Sequence, residues 1–127
     1  MANECIPLFR PGQDVTVLTT GAVTGRKFVG ISATRDVTTG LIKVAAPAAA
    51  GKTFGVAAFD IPSGGKGTVI RGRGTILPVI CGAGGVAYDT EVQVDATGGV
   101  VTLASGFPVG RTVETGTAGN PVLITLY

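Results

Sequence analysis

Glycine and proline interrupt this chain so often that no stretch is left for a long amphipathic helix. The sequence has 21 Gly and 7 Pro among 127 residues, and the stretches between them lack apolar residues at the three- and four-residue spacing of a helix. Those stretches carry 17 Val and 17 Thr, β-branched types that favour strands. The pattern predicts an all-β, single-domain small barrel or sandwich of about eight to ten short strands.

Alternating apolar residues bounded by Gly, Pro and Asp mark ten candidate strands. The clearest hairpin is EVQVDATGGVVTL, with its turn in DATGG, and a second is predicted where IPSGG turns the chain out of AAFD. The predicted strands are Val15–Thr20, Lys27–Ala33, Ile42–Ala45, Phe54–Asp60, Gly67–Arg73, Thr75–Cys81, Glu91–Asp95, Val100–Leu103, Arg111–Glu114 and Val122–Leu126.

The first twelve residues differ from the rest of the chain. Pro7 and Pro11 exclude a helix or a central strand, while Ile6, Leu8 and Phe9 make the segment apolar. We therefore divide the chain into an extended N-terminal arm, residues 1–12, and an all-β domain, residues 13–127. The arm has two interpretations of equal weight: it lies on another subunit, or it folds back on its own barrel.

Charge and hydropathy restrict the partners. Only 14% of residues are charged and the mean hydropathy is +0.48, so we expect either a surface covered by a partner or much exposed Ala and Gly. A net charge of +2 is too small to predict nucleic-acid binding, and Arg71 and Arg73 are interpreted as a solvated strand face. No window of about 20 residues is continuously apolar, so no membrane span is predicted. The start of the chain does not resemble a signal peptide, which predicts synthesis and retention in a cytoplasm.

The side chains of enzymes and metal sites are scarce. The sequence has no His, which removes the commonest general base and metal ligand. Cys5 and Cys81 have no metal-ligand spacing and are expected to be thiols. The acidic residues are placed as turn formers rather than as catalytic pairs. We predict no catalytic residue, no metal and no cofactor.

Two glycine-rich motifs imitate nucleotide-binding loops. APAAAGKT, residues 46–53, matches a relaxed phosphate-loop pattern, and GAGGVA, residues 82–87, matches a relaxed dinucleotide pattern. Each needs a helix directly after the loop so that the helix N-terminus faces the phosphates. Strand-like or turn-forming sequence follows both, so neither motif predicts a nucleotide site.

Two long segments carry a resemblance to a known family. GAGGVAYDTEVQVDATGGVVTL, followed by FPVGRTVETGTAGNPVLITLY, resembles the C-terminal half of the small head-decoration, or cement, proteins of tailed bacteriophages and prophages. The earlier pieces GRKFVGISA and VAAPAAAGKTFGVAAFDIPSGGKGTVIRGRGTI fit the same family. The resemblance spans most of the chain and consists of turn chemistry and alternation rather than reactive groups.

The resemblance implies a structural virion protein and no enzyme. Such a protein binds the major capsid protein on the outside of the head, after synthesis in the host cytoplasm, and reinforces contacts between capsomers. It implies a homo-oligomer, a trimer first and a dimer second, with no nucleic acid or membrane as partner. Within the arm, we predict that Ile6, Leu8 and Phe9 are apolar capsid-binding anchors and that Arg10 adds a polar contact.

Two other functions remain open from the sequence. A tail-tube or baseplate structural protein would also be all-β and oligomeric. A carbohydrate-binding module is less well supported, because sugars are usually bound on aromatic platforms and the chain has no Trp and only two Tyr.

Overall fold

The structure is a computed structural model, and it describes residues 2–8 and 14–127. These residues form ten strands and no helix, which confirms the predicted all-β class. The strands are β1 Val15–Thr19, β2 Phe28–Ala33, β3 Ile42–Ala45, β4 Gly55–Ala57, β5 Lys66–Ile70, β6 Ile76–Ile80, β7 Glu91–Val94, β8 Val100–Thr102, β9 Gly110–Thr112 and β10 Pro121–Leu126.

The first five strands close into a barrel in the order β1-β3-β2-β4-β5, with β5 pairing back onto β1. The β1–β3 pair is parallel and the other pairs are antiparallel. Closure leaves no barrel strand with an unpaired edge. The interior is filled by β-branched and small residues, with Val17, Val44 and Val69 fully buried at its centre.

The last five strands form an antiparallel sheet in the order β6-β10-β9-β7-β8. Its two ends approach each other, because Cys81, just after β6, forms a bridge with Val100 of β8. One side of the sheet packs on the barrel. The resulting core combines sheet residues such as Leu77 and Ile124 with the barrel residues Phe28, Val56 and Ile70, so the two halves share one hydrophobic core.

Both predicted hairpins are present. β7 and β8 pair with Val94 opposite Val100, and Asp95 closes the turn between them. β4 and β5 pair through Val56 and Ile70, and the turn before β5 has Gly64 at φ 74° with the Gly65 N–H donating to the Pro62 carbonyl at 3.0 Å. Gly supplies the positive φ that this turn requires.

Several predicted strand ends are too long. β4 stops at Ala57 rather than Asp60, because Ala58 and Asp60 form hydrogen bonds with residues 2–8 and Gly25 instead. β5 stops at Ile70 rather than Arg73. The interpretation of Arg71 and Arg73 as neighbours on one strand face is therefore wrong: both lie in the loop between β5 and β6, where Gly72 and Gly74 have φ of 116° and 87°.

No helix follows either nucleotide-like motif. β4 begins at Gly55, two residues after the end of APAAAGKT, and GAGGVA lies in the loop between β6 and β7. Phosphate-binding loops depend on a helix N-terminus, so the structure agrees with the interpretation of both motifs as loops. The described residues also contain no helix of the length and apolarity needed to cross a membrane.

Candidate functional site

Residues 2–8, which we call the N-terminal segment, lie across the junction between barrel and sheet. The Cys5 N–H donates to the carbonyl of Ala58, after β4 of the barrel, and the Leu8 N–H donates to the carbonyl of Ile76 in β6 at 2.8 Å. β6 is an end strand of the sheet, and exposed edges invite pairing with other chains. The segment therefore covers part of that edge and ties it to the barrel.

Two side chains hold the segment in place. Asn3 Nδ2 lies 2.9 Å from each carboxylate oxygen of Asp60, and the Gly25 N–H donates to Asp60 Oδ1 at 2.9 Å. These hydrogen bonds, the one from Gly25 first, lower the pKa of Asp60 because they favour its charged form. Cys5 is 3% exposed, and its Sγ donates to the Pro78 carbonyl at 3.1 Å.

The outer side of the same segment is apolar and open to solvent. Ile6 is 72% exposed and Leu8 is 62% exposed, although the backbone around them is bonded to the barrel and the sheet. Residues 2–8 thus fold back on their own chain and still present two large apolar side chains outward. Phe9 and Arg10, the other two predicted anchors, lie outside the described residues. A role in capsid binding stays a prediction for all four.

Two further exposed apolar side chains were not predicted from the sequence. Val37 is 94% exposed at the loop between β2 and β3, and Ile31 of β2 is 65% exposed. The loop is ordered by Asp36, whose Oδ2 accepts hydrogen bonds from the N–H and hydroxyl of Thr39, both at 2.7 Å. Those bonds lower the pKa of Asp36. The signal in the sequence was weak, since Val37 stands alone among polar residues.

A cleft of about 470 Å³ opens at another part of the junction between barrel and sheet. We call it the junction cleft. Arg71 is fixed in its wall by a hydrogen bond from Nε to the Phe54 carbonyl at 2.7 Å, with its guanidinium 4.2 Å from the centre of the Phe54 ring. Lys52 and Arg73 also line it, as do Phe28, Thr53, Phe54, Gly72, Phe107, Pro108, Val109, Leu126 and Tyr127.

The carboxylates with lowered pKa values all accept hydrogen bonds from residues of turns or loops. Asp95 is the most enclosed of them: its Oδ1 accepts hydrogen bonds from Thr97 N–H at 2.8 Å and Gly99 N–H at 3.0 Å. Asp36 and Asp60 have the local partners described above. Among residues 2–8 and 14–127, no three His, Cys, Asp or Glu side chains gather where they could hold a metal ion.

Comparison with solved structures identifies the fold. The N base of the head fiber gp8.5 of bacteriophage phi29 superposes with a TM-score of 0.74, covering 91% of this chain and 93% of that one. At 19% sequence identity, this similarity establishes a shared fold. No curated protein sequence gives a significant match.

A match to a family model assigns the chain to a protein family, which the shared fold alone does not do. The model described as phage cement protein matches residues 9–126, which is nearly the whole chain and includes both the barrel and the sheet. Cement proteins are structural components of the phage particle, which argues against an enzyme and in favour of a place on the phage head. The chain belongs to the family of phage cement proteins.

Proposed function

We propose that this protein binds the outer surface of a phage capsid as a homo-oligomer and reinforces contacts between capsomers. The observation that carries the proposal is the match of the cement-protein model to residues 9–126. The partner is the major capsid protein, reached after synthesis in the host cytoplasm, and the protein performs no catalysis. The scarcity of charge, 14% of residues, supports a final state in which much of the surface is covered.

We assign the capsid contact to the N-terminal arm, residues 1–12. Ile6 and Leu8 are the exposed anchors that the structure describes, and Phe9 and Arg10 extend the same run of sequence. Burying each large apolar side chain contributes about 1.5 to 3 kcal/mol. Fixing a free backbone costs roughly 1 to 2 kcal/mol per residue. Because residues 2–8 are already bonded to their own barrel and sheet, most of that cost does not arise again on binding.

One pair of anchors still gives a weak contact. Association costs several kcal/mol in lost translational and rotational freedom, which is comparable to the gain from two side chains. A symmetric oligomer overcomes this limit, because the first contact raises the effective concentration of the others. A trimer on a threefold or quasi-threefold position is the arrangement that we favour, and a dimer on a twofold is the second.

The experiment is to mix purified protein with empty heads that lack it and to measure co-sedimentation and occupancy in electron micrographs. The test variant is Ile6→Ser with Leu8→Ser. The matched control is Ile31→Ser with Val37→Ser, which removes two exposed apolar side chains elsewhere. We expect the wild type and the control to decorate the heads and the test variant to lose at least tenfold in affinity. Sedimentation equilibrium of the free protein measures the oligomer.

Three results would contradict parts of the proposal. Failure of the wild type to bind heads, with binding to tails or baseplates instead, would favour the alternative of a tail structural protein. If the control loses decoration and the test variant does not, the capsid contact lies at β2 and the loop between β2 and β3, and not at the arm. If the free protein sediments as a monomer and binds heads without cooperativity, the proposed homo-oligomer is wrong.

A further inference from the structure

The junction cleft is lined by three basic side chains and by no acidic one. Three of the ten Lys and Arg residues of the sequence line it: Lys52, Arg71 and Arg73. None of the eight acidic side chains, all of which lie in the described residues, is among its lining. Within the described chain, the ion pairs involve Lys43 and Arg111 instead. Three cations of a protein of net charge +2 therefore line one concave site.

Aromatic rings cover one side of two of these cations. The Arg71 guanidinium lies over Phe54 at 4.2 Å, and Lys52 Nζ lies 5.6 Å from the centre of the Phe107 ring. Such contacts position a cation and shield it from water on one side. Since Nε of Arg71 is used by the Phe54 carbonyl, the two terminal nitrogens remain for a planar acceptor. Arg matches a carboxylate with two parallel hydrogen bonds.

Hydrogen bonds fix two of the loops that line the cleft. The Gly74 N–H donates to the Leu126 carbonyl at 2.9 Å, which anchors the loop that carries Arg71 and Arg73. Gln93 Oε1 accepts hydrogen bonds from the Ala104 and Gly106 N–H groups, both at 2.9 Å, and holds the loop that carries Phe107. A preformed site binds more tightly, because little order is lost when a ligand enters.

We propose that the junction cleft binds a carboxylate-bearing segment of a partner protein, with an acidic side chain between Lys52, Arg71 and Arg73. The apolar floor of Phe28, Val109 and Leu126, all buried, accepts the methylene groups of a Glu or an adjacent apolar residue. This contact is separate from the one made by the N-terminal segment, and it does not depend on which protein supplies the acidic segment.

The shape of the cleft favours a peptide over a nucleic acid. Nucleic-acid binding uses a basic stripe or patch that follows several phosphates, whereas these three cations line one cleft of about 470 Å³. The mixture of cations, aromatic rings and an apolar floor also fits an amphipathic side chain better than a row of phosphates.

The test uses nuclear magnetic resonance of the labelled full-length protein. The probe is a capped peptide of alternating Glu and Leu, and the comparisons are the same peptide with Gln in place of Glu and an oligothymidylate of equal charge. We expect saturable shifts of the backbone signals of Thr53, Gly72, Arg73 and Phe107 with the Glu peptide. The Gln peptide and the oligothymidylate should bind at least tenfold more weakly.

Two variants of equal charge make the result specific. Lys52→Gln with Arg73→Gln removes two cations from the cleft while leaving Arg71 and its hydrogen bond in place. Arg35→Gln with Lys66→Gln removes two exposed cations elsewhere. We expect the first to weaken peptide binding roughly tenfold and the second to change it less than twofold. No saturable binding, equal losses in both variants, or tighter binding of the oligothymidylate would each overturn the proposal.

Discussion

Gly98 allows the β7–β8 turn to lie directly against the barrel. It has φ of 89°, a conformation that residues with a Cβ adopt at a cost of about 1 to 2 kcal/mol. Its own carbonyl accepts a hydrogen bond from the Phe28 N–H at 2.8 Å. A Cβ at position 98 would also overlap the Phe28 carbonyl oxygen. Position 98 thus requires glycine for two reasons: its φ is positive, and there is no room for a Cβ beside the Phe28 carbonyl.

Gly98→Ala should therefore cost more than the positive φ alone. The matched control is Gly119→Ala, because Gly119 has a similar φ of 80° and a Cβ there would meet nothing within 4 Å. We expect the control to lose about 1 to 2 kcal/mol of unfolding free energy and Gly98→Ala to lose at least about 1 kcal/mol more. Urea unfolding measures both, and equal losses would show that the contact with Phe28 does not constrain the turn.

Asp95 makes the same turn sensitive to acid. Burial acts to raise its pKa, but the hydrogen bonds from Thr97 and Gly99 outweigh burial and hold the pKa below its ordinary value of 3.8. A carboxyl with a lowered folded pKa stabilises the fold fully above its ordinary pKa. That contribution is lost as the pH falls through the lower folded value.

Asp95→Asn should flatten this acid dependence, because the amide has no charge to lose and its oxygen still accepts hydrogen bonds. We expect the wild type to lose more unfolding free energy than Asp95→Asn between about pH 7 and about pH 2. Asp36 and Asp60, whose pKa values are also lowered, are unchanged in both proteins. Parallel curves of stability against pH would show that Asp95 does not contribute.

The sequence predicted the chemistry of this turn but not its details. DATGG between two alternating runs is a local signal, so the hairpin and the role of Asp95 as a turn former were both available. The sequence did not show which Gly takes the positive φ. The choice between Gly98 and Gly99 depends on Phe28, 70 positions earlier in the numbering. Arg71 was misinterpreted for a similar reason, since its partner Phe54 belongs to another part of the barrel.

At the scale of elements, alternation located every strand, and long-range contacts decided where several of them ended. The ten predicted strands all overlap the observed ones, because period-two alternation reports burial on one face. The parallel pairing of β1 with β3 leaves no such local mark. The junction cleft was also invisible, since the cations and rings that line it come from separate loops.

The N-terminal segment behaves as part of the fold, so its removal should reduce stability. Deleting residues 2–8 removes buried Cys5, the bonds between Asn3 and Asp60, and the cover over the edge of β6. We expect a loss of at least about 1 kcal/mol and association through the uncovered edge. Thermal unfolding and size-exclusion chromatography measure these effects.

The substitutions Ile6→Ser and Leu8→Ser are the control for that deletion. They change only exposed side chains and should alter stability by no more than about 0.5 kcal/mol. A truncated protein with the stability and solubility of the wild type would show that the segment is not part of the folded unit. For this reason the substitutions, and not the deletion, test capsid binding.

The loop APAAAGKT should show no magnesium-dependent affinity for ATP. β4 begins two residues after it, so no helix N-terminus is available for the phosphates. Lys52 lies beside Phe107 in the junction cleft. Calorimetric titration with ATP and magnesium decides the question, and a micromolar dissociation constant that Lys52→Ala abolishes would contradict it. ATP could also bind weakly without magnesium. If Arg73→Gln reduces that binding as much as Lys52→Ala does, the ATP is bound in the junction cleft and not by the loop.

At the scale of the whole molecule, the shared core makes barrel and sheet one cooperative unit. Phe28 of β2 is buried among sheet residues, and backbone hydrogen bonds cross the junction, including Ile80 N–H to the Arg26 carbonyl and Ala50 N–H to the Val94 carbonyl, at 2.9 and 2.8 Å. Neither half buries its apolar surface without the other. This explains why a family model extends across both halves rather than ending between them.

A change inside the barrel should therefore shift the unfolding of the sheet. Tyr88 and Tyr127, the only tyrosines, lie in the sheet half, so tyrosine fluorescence reports that half, while hydrogen exchange of Val17 and Val69 reports the barrel. We expect one transition by both probes. Val44→Ala, confined to the barrel interior, should shift both by the same amount, and Phe28→Ala should shift both further, by about 3 to 5 kcal/mol. If Val44→Ala moves the hydrogen-exchange transition and leaves the tyrosine transition unchanged, the halves unfold independently and the shared core does not couple them.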